Sequence, residues 1–145
     1  MSLYNPTKDQ VRQFFFDTWA KYKQQAPLTD LEKIALQVIQ MHPEYHTVLD
    51  SPERHQHVQY FPEKGETNPF LHMSLHLSVI EQININQPLT IKAVYGSLLK
   101  KHQDMHLAQH DIVECLAETI WQSQRNSTPL DSAHYTMLLQ EKVQF

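Results

Sequence analysis

Prolines set the outline of this chain, because each fixes its own φ, lacks a backbone N–H and pushes the preceding residue out of the helical region. Eight occur in 145 residues, most of them between stretches of helical periodicity. Asn5-Pro6 has the form of an N-cap followed by proline at the first helical position; it predicts a helix running to about Gln25 and stopped by Pro27. Thr29 with Glu32 three residues later is a capping box, which opens a second helix over 30–41, extended as a kinked continuation through Pro43 to Leu49. Residues 50–67 mix charge with Pro52, Pro62 and Gly65 and predict a long loop. Asn68-Pro69 repeats the first signal and starts a third helix to about Asn84, while Pro88 and Thr90 reset the chain for a fourth over 91–101. Asp104 can cap a long fifth helix ending near Arg125, and a short terminal helix is expected over 132–143. Strand alternation is confined to 58–61 and 83–85, so the expectation is an all-α, single-domain helical bundle of about five to six helices spanning 1–145.

Composition narrows the function classes. Hydrophobic residues make up 41% and charged residues 19%, which is globular, and the chain is long enough for a sizeable core. Apolar runs such as Phe14 to Phe16 are far too short for a bilayer, and the first residues carry no apolar signal region, so a cytoplasmic protein without a membrane partner is expected. A net charge of −4 with scattered Lys and Arg argues against nucleic acid; a small ligand or a protein partner is left open. The single cysteine, Cys115, excludes an internal disulfide and CxxC metal knuckles, and mid-helix it reads better as a small buried hydrophobe than as a reactive thiol. Two glycines, Gly65 and Gly96, leave no phosphate-cradling Gly-rich loop. Chemistry therefore has to come from nitrogen and oxygen ligands.

Histidine supplies them. Four pairs stand four residues apart (His42 and His46, His72 and His76, His102 and His106, His106 and His110), whereas chance placement of ten histidines gives about 0.7 such pairs. At about 100° per residue, with His72 at zero, His76 falls near 40°, Val79 near −20° and Ile83 near 20°, all on the apolar face. With His106 at zero, His110 falls near 40°, Val113 near −20° and Ala117 near 20°, again on the apolar face. If the second helix continues through Pro43, His42 and His46 share a face with Ala35 and Val38. Three helices would thus bring one pair each to a common interior, where neutral imidazoles suit a divalent transition metal such as Zn, Fe, Ni or Cu. Six buried imidazoles without a shared partner would each carry a desolvation cost. Six also exceed one tetrahedral shell, so either two ions are bound or some histidines orient others, and carboxylates enter the account. Glu114 one turn after His110 and Glu44 within His42-Pro-Glu-Tyr-His46 lead; Asp111 is a further candidate, and Glu32 is better explained as a cap. Phe15, Trp19 and Tyr22 share a face as packing residues, and His55, His57, His102 and His134 are expected at the surface. His110-Asp111 also forms the HD dipeptide of phosphohydrolases.

The segments Tyr4-Asn-Pro-Thr-Lys-Asp, Arg12-Gln-Phe-Phe-Phe-Asp-Thr-Trp, His42-Pro-Glu-Tyr-His, Gly65-Glu-Thr-Asn-Pro-Phe-Leu-His and Glu114-Cys-Leu-Ala-Glu-Thr-Ile-Trp together resemble an uncharacterised bacterial family, domain of unknown function 1841. That resemblance implies no activity. More distantly, His72 to His76 and His106 to Asp111 resemble the HxxxH and HxxxxD elements of hemerythrin-like di-iron bundles, whose first two elements are missing, and DinB-like bundles offer a looser analogy. The expected function is a metal-binding helical bundle with ligands drawn from His42, His46, His72, His76, His106, His110, Glu114 and Glu44. A metal-dependent hydrolase, with Glu44 or Glu114 as general base, and a structural or adaptor protein without metal are the alternatives.

Overall fold

A computed structural model describes residues 7–144, and the expected Asn5-Pro6 cap lies outside the described residues. The secondary structure is helical throughout, without a strand among the described residues. Eight α-helices are present there: α1 Lys8–Lys23, α2 Asp30–Met41, α3 His46–Leu49, α4 Pro52–His55, α5 Pro69–Ile85, α6 Ile91–His102, α7 Met105–Asn126 and α8 Ser132–Val143. This corrects the expectation of five to six. The two additions are single turns created by proline. Pro43 ends α2 instead of kinking it, and a 3₁₀ turn over Pro43–Tyr45 intervenes before α3. Pro52 occupies the first position of α4, inside what the sequence presents as loop.

Side-chain caps fix the helix starts. The Thr7 hydroxyl accepts from the Gln10 amide and Gln10 Oε1 accepts from the Thr7 amide, a capping box for α1. Thr29 and Glu32 form the same device for α2. Asn68 Oδ1 accepts from the Phe70 and Leu71 amides, and Asp104 and Asp131 cap α7 and α8. Each such cap is worth about 1 kcal/mol. Gln103 and Ser127 take left-handed backbone, φ 52° at both, where α6 and α7 stop.

The chain divides into two compact units, Met1–Leu77 and Ser78–Phe145. In the first, α1 packs on α2 and α3, around Phe15, Phe16, Trp19, Val38, Ile39 and Met73. Phe16 meets Phe70 edge to face at 5.3 Å. Trp19 donates its indole N–H to Asp50 at 2.8 Å, and Tyr22, expected beside it in the core, stacks on it but is 43% exposed. In the second unit α6, α7 and α8 pack on one another, burying Leu98, Ile112 and Leu139 completely. No helix among the described residues is long and apolar enough to cross a membrane.

Candidate metal centre

His42 owes its position to Pro43. The α region is disfavoured for a residue before proline, and His42 leaves the helix at φ −125°, ψ 65°, its amide held by the Ile39 carbonyl. The ring is thereby turned inward, with 3% of the residue exposed. His76, in the body of α5, is fully buried. Its Nδ1 lies 3.1 Å from His42 Nε2.

The far side of the His42 ring faces Glu44, whose Oε1 is 2.7 Å from Nδ1. An ionised carboxylate only accepts, so His42 Nδ1–H donates to Glu44, and Nε2 is the ring nitrogen that faces His76. This carboxylate–imidazole arrangement fixes tautomer and ring orientation in metal sites. Tyr45 stacks on His42 at 5.2 Å, with planes 19° apart. Burial, and then the nearby Glu44 charge, push its phenol above the ordinary value, so it stays protonated.

His42, His76 and His106 each offer a ring nitrogen, and these three atoms all lie within 4.8 Å of one another. Among the described residues this is the one group of three or more His, Cys, Asp or Glu side chains gathered as a metal site requires. Two nitrogens bound at about 2.0–2.1 Å to a tetrahedral ion stand about 3.3–3.4 Å apart, close to the 3.1 Å between His42 and His76. Donors on one ion cannot be more than about 4.2 Å apart. The trio therefore reaches tetrahedral spacing around a single ion with closure of at most about 1.4 Å.

The remaining expected ligands are placed otherwise. The His72 ring meets His42 edge to face at 4.6 Å, beside the trio. His46 lies on the Trp19 indole at 4.4 Å and donates Nε2–H to the Ile39 carbonyl; the break at Pro43 turns it to a different neighbour from His42. His110 is half-buried, with Nδ1 3.7 Å from Glu114, and Glu114 is exposed and accepts from Lys142 at 2.8 Å. Glu44 serves as a partner of His42. Glu32 is both cap and partner of Lys21; the Lys21 hydrogen bond, foremost, holds its carboxyl below the ordinary range.

Asp111 accepts from His102 Nε2 at 2.7 Å, and both are largely buried, so His102 is not the surface residue its position implied. That pairing commits one carboxylate oxygen of Asp111 to His102. No sequence signal announced it, because positions nine apart share no helical neighbourhood. His134 is half-buried rather than exposed. Burial pushes the Cys115 thiol up to about 11, which keeps it inert.

Comparison with known proteins finds the family described as Domain of unknown function (DUF1841), matching residues 7–141. No curated protein and no solved structure gives a significant match. The hemerythrin-like and DinB-like likenesses find no support there.

Proposed function

Since the chain belongs to the domain of unknown function 1841 family, which carries no assigned activity, we propose its function from the site alone: it binds one divalent transition metal ion through His42, His76 and His106. The observation that carries this is the buried approach of His42 Nε2 to His76 Nδ1, with Glu44 behind the first ring. Neutral nitrogen donors without thiolate suit Zn²⁺, Fe²⁺ or Ni²⁺. Three protein donors leave a coordination position for water, as in catalytic zinc sites, and this supports metal-assisted hydrolysis as the second reading. Glu114, tied to Lys142, is a weaker candidate base than Glu44 in that case. The acidic net charge supports partners other than nucleic acid, and the lone buried thiol suits the cytoplasm.

The test is retention of Zn²⁺ after reconstitution and dialysis. His42→Ala and His76→Ala should lose the ion, and His57→Ala, at an exposed position, should keep it. Equal retention in all three would overturn the assignment.

A further inference from the structure

Arg12 is the one Lys or Arg among the described residues that is buried, at 7% exposure. Its Nη1 donates to the carbonyls of His55 and Gln56 at 3.1 and 3.0 Å. The guanidinium also lies over the rings of Phe70, at 4.9 Å, and Tyr60, at 5.6 Å. Those contacts bolt the 55–60 segment to α1, and they use one nitrogen of three. Among the described residues no carboxylate lies within ion-pair distance of Arg12. Nε and Nη2 have no acceptor there, yet they are not sealed from solvent.

A guanidinium cannot shed its proton, and burying one without a counter-charge is costly. Ring faces and carbonyls offset part of that cost. Of the two cavities that Arg12 lines, the more polar one, of about 330 Å³, is shared with Lys8, Asp9, His57, Tyr60 and Asn68 and can hold the group that completes the balance. Its chemistry is that of an anion site: a fixed guanidinium fork, an ammonium, an imidazole and an amide around one space, beside the positive end of the 16-residue helix α1. Asp9 is the one acidic lining residue, and its carboxylate turns toward His57, at 3.8 Å, and solvent.

We infer that this cavity binds the phosphate group of a small molecule, with the free edge of Arg12 and the Lys8 ammonium as its two cationic contacts. One fixed and one mobile cation together match the charge of a phosphate dianion.

The side-chain Nε–H resonance of Arg12 reports directly. It is one of three arginine signals in the chain and is assigned by its loss in Arg12→Lys. The full-length protein, held in chelator, is titrated with inorganic phosphate and in parallel with phenyl phosphate, chloride keeping ionic strength constant. A saturable shift at Arg12 is expected, weakened about tenfold by Lys8→Ala, the value of one charge-assisted contact. Lys8 is exposed, so that variant should fold even if Arg12→Lys does not. Tighter binding of phenyl phosphate identifies a phosphoester ligand stacking in the cavity; equal binding identifies free phosphate. A linear response, a shift confined to Arg54 and Arg125, or an affinity unchanged in Lys8→Ala would overturn the inference.

Discussion

Replacing Glu44 by Ala tests how the site holds its ion. The carboxylate touches no metal in this account; it pins the proton on His42 Nδ1 across 2.7 Å so that Nε2 presents its lone pair. Partners of this kind are worth 10–100-fold in metal affinity. The Glu44 side chain is 56% exposed, so water can take over much of its bond to the imidazole. The expected loss is therefore at the low end, about tenfold, or about 1.4 kcal/mol of binding free energy. Glu44→Gln retains an acceptor oxygen without the charge and should lose less. Competition against a chromophoric Zn²⁺ chelator at pH 7.5 measures both, with melting in excess chelator confirming that the apo fold is intact. An affinity for Glu44→Ala within twofold of wild type would refute the orienting role.

Three further outcomes are expected. Zn²⁺ held at 100 times its dissociation constant should stabilise the fold by about 2.7 kcal/mol and raise Tm by about 5–11 °C; because protons compete for the imidazoles, melts in chelator and in Zn²⁺ should converge as pH falls below about 6.5. Glu32, held by Lys21 below its ordinary pKa, contributes stability that is present above about 4.3 and lost as pH falls through the lowered folded value; in chelator, Glu32→Gln should be less stable than wild type at pH 6 and approach it as pH falls through that lowered value, and parallel curves would contradict that linkage. Cys115, raised to about 11 by burial, should resist thiol reagents at pH 8 until the protein is denatured; rapid labelling of the native chain would show the thiol to be exposed.

The parts of the fold legible in the sequence are those set by local backbone chemistry. Thr29 with Glu32, Asn68 and Asp104 fulfil their capping roles because a cap is decided within three or four residues. Helical periodicity located α5 and put His76 on its apolar face. Pro43 and Pro52 misled because proline that ends one helix can also start another, and one-turn helices leave no periodic trace. The site was legible as a surplus of histidines on apolar faces, without showing which of them meet. Whether His42 or His46 turned inward depended on the backbone at one residue-proline junction. The pairings of Glu114 with Lys142, His102 with Asp111 and Trp19 with Asp50 are tertiary, and no spacing rule reaches them.

The most direct test of the central claim is the number of ions per chain in protein purified without a chelating column or histidine tag, reconstituted with Zn²⁺ and desalted, then read by elemental analysis. The account predicts about one ion per chain for wild type and near zero for His76→Ala, whose imidazole is fully buried and lies 3.1 Å from His42 Nε2. A wild-type value near zero, or one unchanged in His76→Ala, would contradict it.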